Sequence, residues 1–184
     1  MDYVSKDGGV VVCHQEFKND ATRRHWEVVG YRDVRGELSI PAEINGWPVT
    51  EIHEKAFDGC LMSTVSIPDS IKKIGSKAFA NCKNLESIAI PSCVTHIEAG
   101  YFRGCPSLKR VRIPSSVESI ESAFDDGLDV MIDVDEGNPK YKSMDGYLLT
   151  KNGELLRGRG GDVIIPEGVW AIADGKNFLD LKVS

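Results

Sequence analysis

The chain has 184 residues, of which 41% are hydrophobic and 27% charged, with a formal net charge of -6. This is the composition of a folded globular protein, long enough for one domain or two small ones around a substantial core. The acidic balance argues against nucleic acid or anionic membrane as principal partner, since both need dense positive charge; no apolar run long enough to span a bilayer and no signal-peptide-like start are present in the chain, so no membrane insertion is expected.

In residues 1–34, Val10, Val12, Trp26 and Val28 suggest two strands joined by the polar stretch from Lys18 to Arg24. These are expected to form a β cap over the open flank of a repeat array that begins at residue 35. Ile-Pro pairs stand at Ile40-Pro41, Ile67-Pro68, Ile90-Pro91, Ile113-Pro114 and Ile165-Pro166, in steps of 27, 23, 23 and 52 residues. Seven positions after the Ile of the last four pairs comes Ile74, Ile97, Ile120 or Ile172, and three before those Ile71, Val94, Val117 or Val169. The first unit keeps the pattern at Val49 and Ile52 after an insertion carrying Asn45-Gly46-Trp47-Pro48. Then come Ala56-Phe57, Ala78-Phe79, Tyr101-Phe102 and Ala123-Phe124, the first three followed at three residues by Cys60, Cys82 and Cys105.

Each landmark has a physical reading. Ile88 and Ile90, or Val111 and Ile113, alternate with polar or small neighbours, as in a short strand with one buried face. Proline then withholds an amide donor and ends the strand. The V-x-x-I step returns the chain along an opposite wall, and A-F-x-x-C is predicted to make one helical or 3₁₀ turn. Each unit is thus a flattened coil with two apolar flanks that only stacking can bury. The expected architecture is a repeat solenoid with a parallel sheet, organised as a cap over 1–34, regular coils over 35–134, an insertion over 135–161, and a last repeat and end over 162–184, all one continuous domain. Leu179, Leu181 and Val183 alternate as a last strand, whose edge, unless the chain caps it itself, would invite a second copy or further coils.

The recurrent pattern L-x-x-I-x-I-P-x-x-V-x-x-I-x-x-x-A-F-x-x-C resembles the BspA-like class of leucine-rich repeats, found in surface proteins of many bacteria and some protists. The resemblance runs from about residue 7, where Asp7-Gly8 precedes a Val-rich strand, to Ile172. In that family a segment similar to Asn138, Pro139, Tyr141, Ser143, Asp145, Gly146 and Leu148 inserts a hairpin, which the resemblance therefore implies for 135–161. Departures are Gly127 in place of a fourth cysteine, a fourth unit one residue short before its Phe, and Phe178 one residue late. The resemblance implies a leucine-rich-repeat superhelix, cell-surface adhesion or host interaction as the role, and an extracellular or cell-surface location.

Candidate chemistry is sparse. Stacking would align Cys60, Cys82 and Cys105 about 5 Å apart, within disulfide reach, yet their place after Ala-Phe points them inward as small buried hydrophobes. Cys93 is the expected exposed thiol, and Cys13 beside His14 lacks a second pair at zinc-finger spacing. His53 and His96 fall on the convex wall, and neither they nor His14 and His25 belong to a nucleophile motif. The acidic run Asp125, Asp126, Asp129, Asp133, Asp135, Glu136 fails the EF-hand register, since a loop begun at Asp133 has Asn138 and Met144 where Gly and Glu belong. Gly158, Gly160 and Gly161 make no nucleotide fingerprint. No catalytic residue, cofactor or metal is expected, and no enzyme.

What remains is surface. The residues flanking the buried strand positions, Glu37 and Ser39, Thr64 and Ser66, Ser87 and Ala89, Arg110 and Arg112, Met131 and Asp133, Asp162 and Ile164, should form the outer face of a sheet. Arg110, Arg112 and Met131 are its expected centre, by interface preference, with ordinary solvated positions as the alternative. Trp47 and Trp170 are candidate exposed aromatics, with packing against a neighbouring loop or the tail as the alternative. The expected function is non-catalytic binding of a protein ligand; the alternative is a self-assembling scaffold, joined as a homodimer or a continued array through the C-terminal edge.

Overall fold

The structure is a computed structural model, and it describes residues 2–4, 10–17, 24–125, 128–157, 167, 169 and 171–172. Their strands, in chain order, are β1 Asp2–Val4, β2 Val10–Phe17, β3 Arg24–Arg32, β4 Arg35–Ser39, β5 Glu43–Ile44, β6 Trp47–Ile52, β7 Leu61–Ser66, β8 Lys73–Ile74, β9 Ser87–Ala89, β10 His96–Ile97, β11 Arg110–Ile113, β12 Ser119–Ile120, β13 Met131–Val134, β14 Tyr141–Met144, β15 Tyr147–Thr150, β16 Glu154–Arg157 and β17 Ala171–Ile172. Each coil contributes one strand to a front sheet, ordered β4-β7-β9-β11-β13 and parallel throughout, and one to a back wall. At the back, β1, β2 and β3 run antiparallel, and β3 then pairs in parallel with β6, so the first strands extend the first coil's own sheet.

The turns carrying A-F-x-x-C are not helical. No helix occurs among the described residues, because alternate amides leave the coil. The amides of Ala56, Asp58 and Cys60 donate locally to the carbonyls of His53, Lys55 and Phe57, whereas those of Lys55, Phe57 and Gly59 donate across to Ser76, Ala78 and Ala80 of the next coil. A helix needs consecutive local bonds. Stacking takes every second donor and leaves isolated turns, bounded by left-handed residues at Lys55 and Gly59 in one coil and Lys77 and Asn81 in the next.

Inside, the repeat becomes a set of columns. Phe57, Phe79 and Phe102 are wholly buried, with ring centroids 5.4 and 6.5 Å apart. Tyr31 continues the column at one end, 6.1 Å from Phe57, and Phe124 at the other, 5.3 Å from Phe102. The Arg157 guanidinium closes it, 4.7 Å over the Phe124 ring and donating to the carbonyls of Asp125 and Leu128.

Cys60, Cys82 and Cys105 are buried free thiols. The Cys82 thiol donates to the Phe57 carbonyl and the Cys105 thiol to that of Phe79, each at 3.1 Å, so a small hydrophobe also satisfies a backbone acceptor of the coil before it. Burial pushes the Cys60 thiol up, and the neighbouring Cys105 thiol, with burial behind it, holds Cys82 above its ordinary value. Protonated and enclosed, Cys60 and Cys82 are poor nucleophiles, and Cys105 is shielded by its burial. Of the five cysteines, Cys93 alone is exposed. A maleimide should therefore label one thiol per folded chain, at Cys93, and all five after denaturation; rapid native labelling of Cys60, Cys82 or Cys105 would contradict the buried column.

The back wall breaks between β8 and β10 for a visible reason. β6 pairs with β8 and β10 with β12, but β8 and β10 are in separate sheets. Tyr101 stands where the neighbouring coils have Ala78 and Ala123, and its buried hydroxyl donates to the Ile74 carbonyl while the Glu98 amide bonds to it. A side chain thus replaces one rung of the ladder without orphaning either backbone group.

The segment implied to be a hairpin is a three-stranded meander: β14 and β15 pair antiparallel across Asp145-Gly146, both in the left-handed region, and β16 follows antiparallel to β15. β16 then pairs in parallel with β17. The glycine-rich stretch 158–161, Ile165-Pro166, Phe178, Leu179, Leu181 and Val183, and with them the expected C-terminal edge, lie outside the described residues, as does Gly127.

Candidate functional site

The front sheet brings the expected face together. Strand pairing puts Glu37 beside Thr64, Thr64 beside Ser87, Ser87 beside Arg110 and Arg110 beside Met131 in one transverse row. A second row holds Ser39 beside Ser66, then Ala89 beside Arg112 and Arg112 beside Asp133. Val65, Ile88, Val111 and Ile132 between them are buried, so the pleat turns both rows outward. Ser66, Ala89, Arg110, Arg112 and Asp133 are exposed, and Thr64, Ser87 and Met131 half-buried among their neighbours. At a spacing of roughly 4.8 Å per strand, five strands make a ledge on the order of 20 Å across.

Charge is distributed unevenly along this ledge. Arg110 and Arg112 lie on one strand, with neutral Ser87 and Ala89 on one side and Met131 and Asp133 on the other. The Arg110 Nη2 donates to the Met131 sulfur at 3.4 Å, which lays the guanidinium along the row. Glu37 is at the far end, and Leu61, 41% exposed, flanks it on β7 beside Arg35. A protein of net charge -6 thus carries a local pair of cations on this ledge, bordered by apolar and hydroxyl side chains and, beside Arg112, by the Asp133 carboxylate. Inner strands are hydrogen-bonded on both sides, so a ligand meeting them need not order them first.

The aromatic candidates fare differently. Trp47 is half-buried against the core, with the Arg24 guanidinium 5.7 Å from its ring centroid, which is the packed alternative rather than a free contact. Trp170, Asp162 and Ile164 lie outside the described residues.

One cluster is not visible in the spacing of the sequence. On the back wall, Glu27 of β3 is 6% exposed and accepts hydrogen bonds from the Nε2 atoms of His25, at 3.0 Å, and of His53, which follows β6. A carboxylate only accepts, so both imidazoles present their Nε2 protons to it. Burial works against the Glu27 charge, but the bonds and positive potential of His53 and His25 outweigh it and hold the carboxyl below its ordinary value. The i, i+2 placement of His25 and Glu27 on a strand was the available signal; the partner 26 residues away needed the register of β3 on β6.

Comparison with known proteins agrees with this geometry. Residues 39–127 match the family described as BspA type leucine rich repeat region, in six copies. The fold is similar to that of a leucine-rich repeat protein from Bacteroides ovatus, at 27% identity and a TM-score of 0.54, over 72% of this chain and 40% of that one. It is also similar to a leucine-rich repeat protein from Bacteroides capillosus, at 26% identity and 0.48 over 60% and 87% of the two chains, and to a leucine rich cell surface protein from Faecalibacterium prausnitzii, at 18% and 0.35 over 92% and 65%. The chain therefore spans less than half the length of the Bacteroides ovatus protein. No curated protein matches it. The columns of Phe, Cys and Ile and the matched copies give one answer: residues 39–127 are a BspA-type leucine-rich repeat region.

Proposed function

We propose that this chain is a non-catalytic protein-binding module that holds its ligand on the front sheet, centred on Arg110, Arg112 and Met131. The observation that carries the reading is the outward row from Glu37 through Thr64, Ser87 and Arg110 to Met131, across five hydrogen-bonded parallel strands. Leucine-rich repeats are generally protein-interaction modules, as the match to that family implies. The cation pair favours a partner presenting carboxylates, and Met131 one with apolar side chains beside them. Adhesion at a cell surface is the setting the resemblance implies.

The test uses immobilised extracellular-matrix proteins as bait. Arg110→Glu with Arg112→Glu should weaken capture at least about tenfold, since reversing charges at the centre of a contact costs more than ~1.4 kcal/mol. Lys72→Glu on the opposite wall, also exposed, should leave it unchanged. Capture that survives the double substitution overturns the assignment of this face.

A further inference from the structure

The back-wall cluster extends beyond the His–Glu–His chain. Parallel pairing of β3 with β6 sets Glu51 directly beside Glu27, and the ligand atoms of His25, Glu27 and Glu51 all lie within 4.8 Å of one another. The His53 Nε2 touches the second oxygen of the same Glu27 carboxylate. One imidazole nitrogen and two carboxylates, drawn from two strands, thus converge on one spot, and the His53 imidazole, just past the end of β6, borders it through Glu27. His14 stands opposite Glu27 on β2, the third strand of the same sheet.

Two of these side chains are carboxylates set side by side on neighbouring strands, and that of Glu27 is only 8% exposed. Two carboxylates within one site repel each other, and a divalent cation cancels both charges in a single step. The donor set fixes the class of ion. Calcium and magnesium favour all-oxygen sites, copper(I) favours sulfur, and mixed imidazole and carboxylate donors suit zinc and its neighbours. Zinc with ligands at about 2.0–2.2 Å holds tetrahedral donors roughly 3.3 Å apart, so modest side-chain rotation closes the present 4.8 Å envelope.

Access is also provided for. The His25 and Glu27 side chains are 11% and 8% exposed, and that of His53 is 47% exposed. The inner pair is anchored while the outer imidazole faces solvent, which gives an ion a path in.

We propose that His25, Glu27, Glu51 and His53 form a binding site for one divalent transition-metal ion of the zinc type, which ties β3 to the first coil. Its role is structural: it adds a side-chain link between β3 and the first coil, where the N-terminal strands join the array.

The probe is zinc itself, added to the full chain after chelator treatment, in a Cys93→Ser background so that the exposed thiol plays no part. Calorimetric titration should give one ion per chain, and the melting temperature should rise by about 5–10 °C at a hundredfold excess over Kd. His53→Ala and Glu51→Gln both change side chains at the open side of the cluster, and each should keep the wild-type circular dichroism spectrum without metal. Each should lose at least about tenfold in zinc affinity and with it the thermal shift. Cobalt in place of zinc should show ligand-field bands with no thiolate charge-transfer band. The proposal is overturned if the chain takes up no zinc, if both folded variants bind it as tightly as the parent, or if cobalt reports sulfur ligation.

Discussion

Replacing Phe79 by alanine should cost about 3–5 kcal/mol, the range for truncating a buried aromatic, and should lower the midpoint of urea denaturation accordingly. The ring is fully buried and stacks on both sides, at 5.4 and 6.5 Å. Neither neighbour can move in to fill the gap, because the coil spacing is fixed independently by the front ladder and by the turn amides that cross from coil to coil. The cavity therefore persists, and its cost with it. In a solenoid each repeat touches only its neighbours, so a fault in the middle also uncouples the two halves. The melt of Phe79→Ala should broaden or split, whereas Phe124→Ala, at the half-buried end of the column under Arg157, should cost less and stay cooperative. A loss below about 1 kcal/mol at Phe79, or the same loss at both positions, would contradict the column as the main support of the fold.

The parts of this structure that were legible in the sequence are those where one residue type recurs at one place in every coil. The Ile-Pro pairs, the Phe column and the inward cysteines needed only the period, and the outer rows only the two-residue alternation of a strand. What the period could not give were the ends. Tyr31 and Arg157 close the ring column from outside the repeat, and nothing near either residue marks it as a lid. Likewise Glu27 meets His53 only because β3 and β6 lie side by side. The expected helical turn failed for a cooperative reason: the donors a helix would use are taken by the adjacent coil, and no reading of one unit by itself can show that. Trp47 was ambiguous because its inserted turn offers both solvent and the core edge.

The segment from Asn138 to Leu148 gives the second large effect. Asn138 is 1% exposed and uses all its capacity: Nδ2 donates to the carbonyls of Pro114 and Val117, at 3.0 and 2.9 Å, and Oδ1 accepts from the amides of Lys140 and Tyr141, at 2.9 and 2.8 Å. One side chain thus fastens the start of the meander to the turn of the fourth coil, while the Ser143 hydroxyl accepts from the Val134 amide further along. Asn138→Asp keeps the shape and the accepting oxygen but turns a second oxygen toward two carbonyls. The expected loss at neutral pH is about 3–5 kcal/mol, since two buried acceptors lose their donor and a charge is left facing them. The pH dependence identifies the cause. Burial and the two carbonyls raise the introduced carboxyl in the folded state above its value in the unfolded chain, so the folded form binds more protons over that interval. Relative stability is then greatest below the unfolded pKa and falls as pH rises through the folded one, so the deficit should shrink on going from pH 7 toward pH 4. Asn138→Leu removes all four bonds with no titrating group, and its deficit should be equally large and flat with pH. If the two variants follow the same pH profile in urea melts, the Asn138 amide donor is not what holds the meander to the coils.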